Sequence, residues 1–164
     1  MTGRSVTSPV VTILTVTRGR LGAALVQDLH ARAEHLAAVA GRPVRLSGVH
    51  APSGPLDPMV VGAVCDLIAR SHPIVVVEAL GQPGPAAAVA EQALRAAASV
   101  VTASEALVAQ CGPRLHDLAA AHGVAFLIAC GGCPLPPLVL LAARPAGVAW
   151  EVSHRPQPAG RCWG

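Results

Sequence analysis

Lysine and tyrosine are missing from these 164 residues, and the remaining aromatics are one Phe and two Trp. Without lysine there is no side-chain Schiff base, and no ammonium group to protonate or clamp a substrate oxygen. The formal charge of +3 therefore rests on arginine alone. These arginines are scattered rather than gathered in a run, and few aromatic platforms exist for stacking bases, so a nucleic-acid partner is not expected. The five cysteines (Cys65, Cys111, Cys130, Cys133, Cys162) form an odd set without the dense spacing of a secreted scaffold. No basic, apolar, small-residue leader opens the chain, and a cytoplasmic location is expected. The uncharged stretch from Gly123 to Ala143 raises the question of a membrane span. Gly131, Gly132, Pro134, Pro136 and Pro137 at its centre would break a lone helix where lipid cannot satisfy freed backbone groups, so no membrane partner is expected.

What the chain has in abundance is Ala, Val and Leu, enough small aliphatic side chains for one closely packed core. Val10 to Val16 is a short β-branched run that enters a glycine turn at Thr17 to Gly22, reading as strand, turn, helix. Leu21, Leu25, Leu29 and Leu36 then recur at helical spacing up to Gly41. Val44 to Val49 is a second strand, and Met59 to Ile68 a helix capped by Asp57 with Pro58 in its first turn. Further along come a strand at Ile74 to Val77, a helix at Pro85 to Ala98 and a strand at Val100 to Thr102. A helix over Glu105 to His122 and a strand over Val124 to Ala129 follow, then a short helix over Leu138 to Ala143 and a last strand over Val148 to Val152. Continuous apolar strands alternating with helices predict an α/β fold with a doubly wound, mainly parallel sheet covered on both faces. The expected organisation is an N-terminal tail over residues 1–9, one domain over 10–152 and a C-terminal tail over 153–164.

A dinucleotide turn requires Gly-x-Gly-x-x-Gly, one glycine each for the tight bend, the approach of backbone to pyrophosphate and the packing of helix on strand. Here Thr17 stands first, while Gly19 and Gly22 fit the second and third roles. The following helix N-terminus offers donors, and Arg18 and Arg20 offer charge beside a phosphate. The acidic residue that NAD sites place at the end of the second strand is missing. His50 is nearby and Arg45 lies within the strand, which leans towards NADP or towards no dinucleotide. A turn that only packs helix on strand is the alternative.

Three longer segments carry a resemblance. Arg42-Pro43-Val44, Val75 to Gly81, and Val100 to Leu107 (Val-Val-Thr-Ala-Ser-Glu-Ala-Leu) resemble, in unbroken order, corresponding stretches of the homoserine dehydrogenase family. Gly131-Gly132-Cys133-Pro134 falls where that family has Gly-Gly-Ile-Pro. The resemblance runs over about Val10 to Val152 and implies the Rossmann-like, NAD(P)-binding domain of that family. It implies Thr17, Arg18, Gly19, Arg20, Leu21, Gly22, Gly81, Thr102 and Ser104 as cofactor-binding positions for NADP or NAD. It also exposes departures. The family lysine of Thr-Ala-Asn-Lys is Glu105 here and its asparagine is Ser104. A carboxylate cannot donate positive charge to an oxygen during hydride transfer. The family's central substrate domain is expected to lie beyond this chain.

Two carboxylates, Glu78 at the end of the third strand and Glu105, are therefore the catalytic candidates for an altered chemistry, with backbone capping as the alternative for Glu78. Cys130 and Cys133 have Cys-x-x-Cys spacing at the ligand-binding edge of such a sheet. They read as a metal pair completed by His154 and Cys162 or by His122, as a redox dithiol, or as two buried inert thiols. Three expectations remain side by side: a dinucleotide-binding domain without stand-alone homoserine dehydrogenase activity that acts by binding, as a homodimer or with a partner protein; an enzyme of altered chemistry; and a relic that folds without binding.

Overall fold

The computed structural model describes residues 10–129. In chain order the elements are β1 (Val11–Arg18), α1 (Gly19–Ala31), α2 (Ala33–Ala40), β2 (Val44–Ala51), α3 (Pro58–Ser71), β3 (Val75–Ala79), α4 (Pro83–Arg95), β4 (Ser99–Thr102), α5 (Glu105–His122) and β5 (Phe126–Ile128). Every strand pair is parallel, and the five strands lie in the order β2-β1-β3-β4-β5. The chain thus winds to one side of β1 and then to the other, which makes β1/β3 the topological switch point of a Rossmann-like doubly wound sheet.

Alternation along each strand sends neighbouring side chains to opposite faces. Val11 and Ile13 of β1, with Val75 and Val77 of β3, pack against Leu29 of α1 and Leu36 of α2. Leu14 and Val16, with Val76 and Val100, face Val64 and Ile68 of α3, Val89 and Leu94 of α4, and Leu107 and Leu115 of α5. Each fully buried Leu or Ile contributes about 1.5–3 kcal/mol through removal of its surface from water. Apart from Phe126 in the second layer, both are built from aliphatics and alanines, as the composition requires.

The single helix expected between the first two strands is interrupted at Arg32, whose backbone leaves helical geometry at φ −106°, ψ 9°. Leu29 and Leu36 remain fully buried on either side of the break. Helix α4 begins at Pro83 rather than Pro85, since proline fits a first turn where no partner for its missing N–H is needed. Strand β5 is shorter than expected because Val124 N donates to Ala119 O at 3.0 Å, closing the end of α5 after Gly123 in the left-handed conformation. Among the described residues no helix is long and apolar enough to cross a membrane. The elements expected over Leu138 to Ala143 and Val148 to Val152 lie outside them.

Candidate functional site

Strand β1 delivers the chain to the carboxyl edge of the sheet, where Arg18 is still extended (φ −149°, ψ 151°) and Gly19 turns into α1 with φ +68°. That left-handed value suits glycine, and nothing lies within 4 Å of where a Cβ at Gly19 would stand. The backbone at this corner is open to a ligand. Helix α1 has no side-chain cap and no acidic residue in its first turn, so its leading N–H groups keep their capacity to bind an anion. Asp57 and Ser104 cap α3 and α5 by accepting from Met59 N and Leu107 N, whereas α2 and α4, like α1, have no side-chain cap.

Thr17 is fully buried and its side chain packs under α1. A Cβ on Gly22 would come within 2.7 Å of Thr17 Cβ. The last glycine of the turn therefore makes room for the threonine that replaces the first one. Thr17 Oγ1 also lies 3.1 Å from His50 Nδ1, its register partner on β2. His50 is the penultimate residue of β2, and the strand ends at Ala51 without a carboxylate.

A cleft of about 300 Å³ opens above this edge, lined by Arg18, Gly19, Arg20 and Leu21 from the turn, Ser53 and Gly54 from the β2–α3 loop, Ala79, Leu80 and Gly81 after β3, and Ala103 after β4. It carries two arginines and no carboxylate. Gly81, like Gly19, has a left-handed φ of +70° and open space at its Cβ position. The β2–α3 loop is tied across the cleft: the Arg18 guanidinium donates to Gly54 O, Gln82 Nε2 donates to the same oxygen at 3.1 Å, and Gln82 Oε1 accepts from Leu56 N at 3.3 Å.

The expected cofactor positions are thus divided. Arg18, Gly19, Arg20, Leu21 and Gly81 meet in the cleft. Thr17, Gly22, Thr102 and Ser104 are buried behind it. Thr102 belongs to a network centred on Glu78, which is also fully buried. Glu78 Oε1 accepts from Leu80 N at 2.6 Å, and Oε2 accepts from Thr102 Oγ1 at 2.5 Å. Thr102 Oγ1 in turn accepts from Ser104 N at 2.9 Å. Burial pushes the Glu78 carboxyl above its usual range, opposed by the hydrogen bonds from Thr102 and Leu80. The network fixes the two turns whose backbones form the far wall of the cleft. Glu105, by contrast, is exposed at the first position of α5.

Ser53, Gly54, Ala79, Leu80 and Ala103 of the lining had no individual signal in the sequence, since they enter through backbone position. Among the described residues no group of three or more His, Cys, Asp or Glu could hold a metal ion. Cys130, Cys133, His154 and Cys162 lie outside them. Cys65 and Cys111 are free, partly buried helix cysteines, and burial followed by the adjacent Asp66 charge raises the Cys65 thiol.

The glycines, uncapped helix and arginines fit a dinucleotide diphosphate, and comparison with known proteins agrees. Residues 18–129 match the family model described as "Homoserine dehydrogenase, NAD binding domain". No curated protein matches the chain. Among solved structures, homoserine dehydrogenase from S. aureus is similar with a TM-score of 0.60 and 19% identity, over 73% of this chain and 32% of that one. The enzyme from Thiobacillus denitrificans gives 0.59 and 25%, over 73% and 29%. A hyperthermophilic archaeal homoserine dehydrogenase in complex with NADPH gives 0.54 and 17%, over 73% and 44%. The chain spans about a third of the length of the first two.

Proposed function

The chain belongs to the family of homoserine dehydrogenase NAD-binding domains, and from that premise we propose that its cleft binds NADP(H) or NAD(H), with the diphosphate on the Gly19 corner. The observation that carries this reading is the open, left-handed Gly19 at the uncapped start of α1, set in a cleft with two arginines and no carboxylate. Donors in the first turn of α1 bind the diphosphate oxygens, and Arg20 neutralises their charge. Gly81, Leu80 and Ala103 form the wall along which the rest of the dinucleotide lies, held in shape by Glu78 and Thr102. An archaeal family structure is described as a complex with NADPH.

A bound nicotinamide dinucleotide supplies hydride-transfer capacity. Glu105, where the resemblance puts the family's lysine, brings a negative charge that opposes charge build-up on a substrate oxygen. The described residues therefore serve as a binding module without stand-alone homoserine dehydrogenase activity, and the chemistry is completed with a partner protein or a second copy. Calorimetric titration of the purified chain with NADPH and NADH is expected to give saturable heat with a Kd between about 1 µM and 1 mM, that is, about 4–8 kcal/mol of binding free energy. The absence of saturable binding to either dinucleotide would overturn the reading. Homoserine-dependent reduction of NADP+ or NAD+ by the purified chain would overturn the assignment of Glu105.

A further inference from the structure

We infer that Arg18 selects a 2′-phosphorylated dinucleotide, so that the cleft takes NADP(H) in preference to NAD(H); this rests on the dinucleotide reading above.

The first ground is the missing counter-charge. Sites selective for NAD place a carboxylate at the end of the second strand, where it accepts from the ribose hydroxyls and repels a phosphate. Here β2 and the loop behind it contain no acidic residue before Asp57. Asp57 itself is committed to α3, accepting from Met59 N at 2.8 Å. His50 is the penultimate residue of the strand, with Nδ1 engaged by Thr17.

The second ground is where Arg18 stands. It closes β1 in register with Ala51, the last residue of β2, so its side chain starts beside the strand end that faces the adenosine ribose in this fold. From there the guanidinium reaches the loop and donates to Gly54 O, beside Ser53 in the cleft wall. That carbonyl also receives Gln82 Nε2 at 3.1 Å. Turning Arg18 from the loop to a ligand therefore leaves Gly54 O satisfied and the loop still held by Gln82. The guanidinium fork is suited to two phosphate oxygens at once.

The test is equilibrium binding of the full chain to NADPH, NADH, 2′,5′-ADP and ADP, for the native sequence, Arg18→Gln and Arg18→Lys. The native chain is expected to prefer NADPH over NADH, and 2′,5′-ADP over ADP, by about tenfold or more, the scale of a charge-assisted hydrogen bond. Arg18→Gln should collapse both ratios towards one, and Arg18→Lys, which keeps the charge and loses the fork, should fall between. Unchanged urea midpoints for the variants would confirm that Gln82 alone holds the loop. Equal affinity for the two dinucleotides, a preference for NADH, or an Arg18→Gln variant that weakens both ligands equally would overturn the selectivity while leaving the dinucleotide reading in place. Failure of the native chain to bind any of the four would sink both.

Discussion

Replacing Gly22 by alanine would ordinarily be expected to strengthen α1, since alanine is favoured over glycine in a helix by about 1 kcal/mol. The geometry reverses the sign. The added methyl would stand 2.7 Å from Thr17 Cβ and 3.3 Å from Thr17 C. Thr17 cannot retreat, being fully buried and paired with His50 on one side and Ala79 on the other. A Cβ has no torsion with which to escape, so α1 must lift from the sheet, an overpacking cost of about 1–3 kcal/mol. With steric cost near the upper end and helix gain subtracted, Gly22→Ala should destabilise the chain by about 1–2 kcal/mol. Urea unfolding with equal m values is the assay. The decisive step is the pair of double variants. Thr17→Gly removes the opposing Cβ and should rescue Gly22→Ala, giving a coupling of about 2 kcal/mol, whereas Thr17→Ala keeps that carbon and should give little rescue. Additivity within about 0.5 kcal/mol for Thr17→Gly, or equal rescue by both, would show that the Thr17 Cβ is not what excludes a side chain at Gly22.

Glu78 makes a pH prediction. Its folded carboxyl titrates above the unfolded value because of burial, so between those two values the native state binds the extra proton and stability falls as pH rises. Glu78→Gln, whose amide can meet the same Leu80 and Thr102 groups, should lose that component of the slope. Unfolding midpoints measured from about pH 4 to about pH 7 decide it, and an unchanged slope would remove Glu78 as the source. Asp57→Ala should cost about 1 kcal/mol by uncapping α3, with Asp57→Ser retaining most of that stability. Equal losses for the two would assign the effect to something other than the cap.

The strands around the switch point were legible because Val10 to Val16 and Ile74 to Val77 are apolar, β-branched runs, while in Val44 to Val49 apolar Val44, Leu46 and Val49 are interleaved with exposed Arg45, Ser47 and Gly48. Asp57-Pro58 announced α3 in the same way, through a cap and a residue suited to a first turn. The break at Arg32 was not, since the leucine spacing continues through it. Within the site, Gly19 and the flanking arginines were visible as a motif. The role of Thr17 was not, because its fit depends on the space left by Gly22 and on a histidine across the sheet. Likewise the contact between Arg18 and Gly54 spans 36 residues and has no local signature. Glu78 was visible as a polar residue in an apolar run, but only the fold shows that its two oxygens join turns from different strands.

The central place of β1 has a consequence for the order in which the molecule comes together. The strand that leads into the Gly19 turn is incomplete until β3 pairs with it, and the contact at the entry to β3, Ile74 N with Thr12 Oγ1, closes a separation of 62 residues. At ribosomal speeds of about 5–20 residues per second, that interval lasts about 3–12 s. Throughout it Val11, Ile13, Leu14 and Val16 wait with one edge unpaired, an open edge of the kind that chaperones bind and aggregates recruit. The Gly19 turn is thus made well before the strand that completes the sheet on its other side.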